Sequence, residues 1–370
     1  MLLDLIVGTR PNFIKMAALI KQIRIKNQSI KNKINIRLIH TGQHYSKNLS
    51  KNFFEDLDIP KPDFNLNVGS GTQAKQTSEI MIRYEKLLFK KKPSICVVVG
   101  DVNSTLACAI VAKKMNIKLA HIEAGIRSFD INMPEEINRM LTDSITDYFF
   151  TTSKYANENL KNEGISNKKI FFVGNTMIDT LQNNKDNFTR PKIWKEFNLK
   201  SNNYFLLTLH RPSNVDNLHY FKNLLKNISN ACDNHQIIFP IHPRSKKQIK
   251  LIKKLPKNIQ LVEPKPYLEF MYLLKNSMAI LTDSGGVTEE ATILNIPCLT
   301  FRTTTERPET VLEGSNELIG FNYKKLTSHI KKIKKGTWKV ANRPLKWDGK
   351  TSKRILSQLI KIMSKNATYK

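Results

Sequence analysis

Residues 120–139 read AHIEAGIRSFDINMPEEINR. The segment enters as the end of an apolar strand, Lys118–Ile122, and breaks at Gly125. It then gathers Glu123, Arg127, Asp130, Glu135, Glu136 and Arg139 within seventeen residues. In an open α/β sheet, ligands collect at the carboxyl ends of the strands and in the loops after them. A carboxylate just past a buried strand, followed by the Pro-started acidic turn Pro134-Glu135-Glu136, falls at such a place. A helix N-terminus would favour those two glutamates without any ligand, so the functional reading rests on what surrounds the segment.

Working outward, apolar runs alternate with helical periodicity on both sides. Immediately upstream, the apolar strand Ile95–Val99 ends in Gly100-Asp101, with Ser104 placed to cap a helix that runs to Met115. Sequential strands are usually neighbours, so Asp101 and Glu123 are expected to approach each other at one level of a sheet. Carboxylates sharing a crevice are pushed to different pKa values, which suits separate acid and base roles. The chain opens with a short buried strand, Leu2–Val7, then Gly8-Thr9-Arg10-Pro11 and a helix over Phe13–Ile25. A guanidinium beside a helix N-terminus is a natural phosphate contact. Asn35–His40 is a second strand, leading to the polar loop Thr41–Tyr45. Asp56-Leu57-Asp58, a possible metal–nucleotide motif, is followed by Ile-Pro and reads as a helix end. Gly69-Ser70-Gly71-Thr72 precedes a helix over Gln73–Phe89.

Downstream, Tyr148–Thr152 and Ile170–Val173 continue the strand series, and near Gly174 the pattern passes to a second unit. Strand Tyr204–Leu209 ends in His210-Arg211-Pro212, and Phe239–Arg244 repeats that arrangement. No histidine pairs with Cys or another His at a metal-ligand spacing. Ala279–Thr282 leads into Asp283-Ser284-Gly285-Gly286 and a helix over Val287–Leu294. This order of strand, glycine turn and helix N-terminus offers backbone N–H groups to a diphosphate. It is neither a dinucleotide fingerprint nor a P-loop. Glu289 and Glu290 would repel phosphate unless turned away, and a carboxylate there could accept from ribose hydroxyls. Glu306-Arg307-Pro308-Glu309 forms a further charged loop after Cys298–Phe301, and an amphipathic helix over Ser352–Ser364 closes the chain. The expectation is an α/β protein of two Rossmann-like domains with a cleft between them.

Length and composition bound the alternatives. With 370 residues, 40% hydrophobic and 25% charged, the chain can build two cores. No apolar run approaches the roughly 18 residues of a membrane span, and Met1–Gly8 lacks the basic flank of a signal peptide. The four cysteines form no CxxC pair and read as reduced, packed thiols, so a cytoplasmic location is expected. The net charge of +29 would suit an anionic partner. Its lysines, however, are spread through helices and turns without interleaved aromatics, so neither nucleic-acid binding nor membrane insertion is expected.

GTRPNFIKM, HTGQHY, GDVNSTLA, HIEAGIRSFD, MPEEINR, VGNTMIDTL, LTLHRP, PIHPR, TDSGGVTEEA and TTERPET occur in order from Gly8 to Thr310. Together they resemble the non-hydrolysing UDP-N-acetylglucosamine 2-epimerases. The resemblance implies a GT-B fold, with residues 1–173 as first domain and 174–351 as UDP-binding domain. The helix 352–370 would cross back to the first. It implies an isomerase that inverts C2 by anti elimination of UDP to 2-acetamidoglucal and re-addition, supplying a surface-polysaccharide precursor without metal or cofactor. Asp101, Glu123, Glu135 and His210 match catalytic positions, with Lys15 and Arg139 beside them. Arg10 with Ser284, Gly285 and Gly286 would hold the diphosphate. Glu290 would hold ribose, Phe270 would stack near uracil, and Arg307 falls in a substrate-contacting motif. A homodimer is expected from the family habit. A 6-deoxy or uronate UDP-N-acetylhexosamine as substrate, or a GT-B glycosyltransferase, is the alternative. The chain departs at His210-Arg211-Pro212-Ser213-Asn214, where many members read HRREN. Although Gln43 and His44 remain, the departure implies loss of activation by a second substrate molecule.

Overall fold

The computed structural model describes residues 2–31, 33–43, 54 and 57–368, without the side chains of 365–368. The contact pattern divides the chain into two compact units, one of residues 1–183 with 345–370 and one of residues 184–344. The Asp56 of the DxD motif and His44 lie outside the described residues.

The first unit is a seven-stranded sheet in the order β3-β2-β1-β4-β5-β6-β7. Its strands are β1 Leu2–Val7, β2 Asn35–His40, β3 Phe64–Asn65, β4 Ile95–Val99, β5 Lys118–Ala124, β6 Tyr148–Thr151 and β7 Ile170–Phe172. All pairs are parallel. Parallel sheets are covered on both faces, which is why β4 (ICVVV) is apolar and buried at every position. Helices Gln73–Lys90 and Asn103–Lys114 close one face through Ile80, Leu88, Ala107 and Cys108, packed against Val98 and Leu119. A charged side chain is buried in this interior. Asp4 on β1 is fully buried, takes two bonds of 2.7 Å from Arg37 on β2, and accepts from the Tyr84 hydroxyl at 2.9 Å.

The chain returns to this unit through Trp347, fully buried, whose indole N–H donates to the Thr152 carbonyl at 3.0 Å. The helix Thr351–Thr368 then packs along Arg10–Gln28. Its first turn is capped from a distance in sequence: the Asp179 carboxylate accepts from the Thr351 and Ser352 amides at 3.0 and 2.5 Å. Those bonds carry residues 174–183 and 345–351 with the first unit.

The second unit has a six-stranded parallel sheet in the order β10-β9-β8-β11-β12-β13. The strands are β8 Tyr204–Thr208, β9 Gln236–Pro240, β10 Ile259–Val262, β11 Ala279–Thr282, β12 Cys298–Thr300 and β13 Asn316–Leu318. Phe205, Leu207, Phe221, Phe239, Leu281 and Phe301 centre its core. In each sheet the strand order reverses direction at one place, between β1 and β4 and between β8 and β11. Loops leaving the sheet in opposite directions open a crevice at such a point.

Two local expectations are corrected. Ser104 does not cap its helix, which begins one residue earlier at Asn103 with Val102 in the cap position. The Ser104 hydroxyl instead donates to Gln43 Oε1 at 2.7 Å, so it joins two loops. The helix expected from Val287 starts at Gly285, which brings both glycines into its first turn.

Candidate active site

At the first switch point, the loops after β1, β4 and β5 are tied together by side chains. Asn12, in the first turn of helix Arg10–Gln28, accepts from the Gly8 and Thr9 amides at 3.3 and 3.0 Å. Its amide group donates to the Val99 carbonyl at 3.0 Å. One turn on, Lys15 pairs with the buried carboxylate of Glu123. Glu123 sits at an irregularity in the β5–β6 register with φ of 73°, a left-handed conformation that costs a non-glycine residue of order 1–3 kcal/mol. Gly100, with φ of 69°, lies under this pair. A Cβ there would stand 3.2 Å from both Glu123 Oε2 and Lys15 Nζ.

Asp101, the next residue, is held by Arg139, which donates through Nε at 3.0 Å and a terminal nitrogen at 2.5 Å. The guanidinium is fully buried, and its other terminal nitrogen donates to Glu136 at 2.5 Å. Glu136 in turn accepts from the Ser128 and Phe129 amides at 3.0 and 2.9 Å, which pins the loop between β5 and the helix Pro134–Ser144. Asn138 donates to the Asp101 carbonyl at 2.8 Å. Thus β4 and β5 are neighbours as expected, with each of the two carboxylates held by a cation of its own. Glu135 is half-buried in the first turn and has no ion pair or hydrogen bond among the described residues, a free carboxylate beside two paired ones.

A second layer lies beneath. His121, fully buried on β5, donates through Nε2 to the Gly100 carbonyl at 2.8 Å and bonds Asp143 through Nδ1 at 2.7 Å. Asp143 accepts from the Gly125 amide at 3.0 Å and pairs with Arg127 at 2.8 Å. Burial alone would raise the Asp143 carboxyl, but His121 and Arg127 outweigh it and hold it below the usual range. This layer fixes the backbone on both sides of Asp101 and Glu123.

At the second switch point, His210 follows β8 and Asp283 follows β11, and these strands pair with Thr208 opposite Thr282. Asp283 is fully buried and lies 3.0 Å from His210 Nδ1. Beyond it, Ser284 makes no side-chain cap on helix Gly285–Leu294, whose first-turn N–H groups are left for another acceptor. Ser284, Gly285 and Gly286 are half-buried, whereas Glu289 and Glu290 are buried, so the two carboxylates turn inward as phosphate binding would require. Glu289 pairs with Arg307. A Cβ on Gly285 would stand 2.5 Å from Glu306 Oε1, itself paired with Arg302 at 2.6 Å, so a side chain there would displace the end of Glu306. Burial lifts the Glu309 carboxyl to about 7, against the pull of Arg307. Phe270 is half-buried on helix Tyr267–Asn276, and Arg10 is half-buried at the first position of its helix.

A sequence model of the UDP-N-acetylglucosamine 2-epimerase family matches residues 26–360. A UDP-N-acetylglucosamine 2-epimerase of Methanocaldococcus jannaschii is 49% identical over 351 residues, covering 92% of this chain and 94% of its own. The chain belongs to the UDP-N-acetylglucosamine 2-epimerase family. A crystal structure of the M. jannaschii enzyme with UDP-GlcNAc and UDP matches with a TM-score of 0.87 at 47% identity, covering 97% of this chain and 99% of that one. A UDP-2,3-diacetamido-2,3-dideoxy-D-glucuronate 2-epimerase of Pseudomonas aeruginosa is 40% identical, covering 85% of this chain and 87% of its own. This epimerase is therefore an isomerase with the two parallel α/β sheets of the GT-B type. Among its described residues no helix is long and apolar enough to cross a membrane.

Within the epimerase the structure gathers Lys15, Asp101, Glu123 and Arg139 in the first unit, and His210 with Ser284–Gly286 in the second. Sequence reasoning gave no role to Asn12, His121, Glu136, Asp143 or Asp283. All but Asp143 stood inside the motifs that carry the resemblance. Asp283 follows a strand in the same way as Asp101, but only the adjacency of β8 and β11 shows that it faces His210.

Proposed function

We propose that the epimerase interconverts UDP-N-acetylglucosamine and UDP-N-acetylmannosamine through a 2-acetamidoglucal intermediate. The observation that carries this is the pair of separately held carboxylates, the buried Glu123 with Lys15 and the partly exposed Asp101 with Arg139, flanking the turn at Gly100. The UDP-GlcNAc and UDP bound to the M. jannaschii relative support the substrate class.

The C2 proton of the sugar is not adjacent to a carbonyl, so direct abstraction would be very slow. Breaking C1–O first sends the electron pair out with UDP, builds positive charge at C1 and acidifies C2–H. Arg10, Ser284 with the amides of Gly285 and Gly286, and His210 stabilise the departing diphosphate. A carboxylate takes the C2 proton and C1=C2 forms. A diphosphate oxygen of UDP then re-adds at C1 while a proton returns to the opposite face of C2, which requires acid/base groups on both sides. Asp101, Glu123 and Glu135 are the groups assigned to these steps. Glu290 takes the ribose, Phe270 stacks near uracil, and Arg307 holds Glu289 clear of the phosphates. With Pro212 and Ser213 in place of the usual side chains, rates hyperbolic in UDP-N-acetylglucosamine are expected.

The test is proton NMR of the purified protein with UDP-N-acetylglucosamine in D2O. Both epimers with deuterium at C2 are expected. Free sugar and UDP would instead mark a hydrolysing enzyme, and no reaction would move the proposal to uronate substrates like that of the P. aeruginosa relative.

A further inference from the structure

We propose that Asp283 is the positioning residue that fixes the tautomer and ring orientation of His210, committing Nδ1–H to itself and leaving Nε2 as the atom presented to the leaving diphosphate. The inference rests on the role given to His210 above. Its geometry lies wholly within the second unit.

Asp283 is enclosed by donors. Besides His210 Nδ1 at 3.0 Å, its oxygens accept from the His210 amide at 3.1 Å, the Arg211 amide at 2.9 Å and the Asn214 side-chain amide at 3.0 Å. None of the last three groups can accept a proton, so the carboxylate is the acceptor throughout and Nδ1 must carry the hydrogen. Burial would raise this carboxyl, but the bonds from His210 and Asn214 overcome it and keep it below the usual range. Asp283 is fully buried while the His210 side chain is 37% exposed, so the ring points outward from a fixed base. Two titratable or charged neighbours have bonds of their own to other groups. His242, with ring centroid 5.3 Å from that of His210, uses its Nδ1 to accept from the Arg244 amide, and Arg211 Nε donates to the Asp283 backbone carbonyl at 3.0 Å. A carboxylate behind an imidazole both sets the tautomer and supports the positive ring when Nε2–H donates to developing negative charge.

Two measurements decide it. In 15N-histidine NMR of the wild-type protein at alkaline pH, the neutral His210 ring is expected as the Nδ1–H tautomer. The Nε2–H tautomer would overturn the proposal, and this arm needs no activity. In kinetics, Asp283→Asn is expected to lower kcat by on the order of 10²-fold. UDP affinity by calorimetry should stay within about threefold. The double variant Asp283→Asn/His210→Asn should be no slower than His210→Asn alone, whereas additive losses would mean that Asp283 acts only by holding the loop. A wild-type protein inert toward UDP-N-acetylglucosamine would refute the proposed function, with the tautomer still deciding the role of Asp283.

Discussion

Replacing Glu136 by Gln removes one charge from the buried chain Glu136–Arg139–Asp101 while keeping the side-chain volume. The Glu136 carboxylate serves two masters, the Ser128 and Phe129 amides and the Arg139 guanidinium. A glutamine oxygen can satisfy only one of them. Kept on the amides, it turns its NH2 toward the donor face of Arg139. Removing one member of a buried ion pair costs about 3–5 kcal/mol, but Arg139 retains Asp101, so the loss is set by one charge-assisted bond and is about 2–3 kcal/mol. Arg139, freed on one side, shifts on Asp101, and misplacement of a reacting group by ~1 Å costs on the order of 10²-fold in rate. Urea unfolding should show the stability loss, and coupled assay of epimerisation should show kcat falling with UDP affinity retained, since no UDP contact is assigned to Glu136. Unfolding free energy within about 0.5 kcal/mol of wild type together with unchanged kcat would refute the chain of contacts.

Asp101→Asn and Glu135→Gln should each preserve UDP binding, measured by calorimetry, while sharply lowering turnover; wild-type rates in these variants would remove the residues from the chemistry. Gly125→Ala forces a methyl at φ of 77° against the Ala156 carbonyl and 2.8 Å from Leu160 Cγ. A loss of at least ~2 kcal/mol is expected in urea unfolding. Glu309→Gln should be stabilising at pH 8 and neutral at pH 4. The Glu309 carboxyl is lifted to about 7 by burial. The unfolded chain therefore releases its proton first, and the penalty grows from the unfolded value up to that point, reaching roughly 3 kcal/mol. Asp143 works in the opposite sense: its depressed value gives stability that is complete above the unfolded carboxylate range and lost as pH falls through the folded value. The acid limb of stability in Asp143→Asn should accordingly be flatter than in wild type.

Much of the fold was legible because its signals are local. Apolar runs, most of them followed within a few residues by Gly or Pro and then by helical periodicity, specify parallel strands covered on both faces, and most strands lie where those runs are, whereas β3, β10 and β13 had no counterpart among them. The site motifs were legible for the same reason: they sit in loops directly after strands. Glu123 was marked by its strand end, although its left-handed backbone was not, because a non-glycine residue in that conformation leaves no local trace. Ser104 misled as a cap because the preference of serine for helix starts is a weak local rule, and a hydrogen bond to Gln43, 61 residues away, overrode it.

What the sequence alone determined is therefore the inventory: two α/β units, the carboxylates after β4 and β5, the glycine turn after β11 and the family to which the motifs belong. Strand order was left to the tertiary structure, and with it which groups meet. Placing β1 beside β4 brings Lys15 to Glu123, and placing β8 beside β11 puts Asp283 under His210. The physical reason is that a buried charge is tolerable only when its partner arrives with it, and those partners lie 108 and 73 residues apart in the chain, beyond the reach of any local pattern.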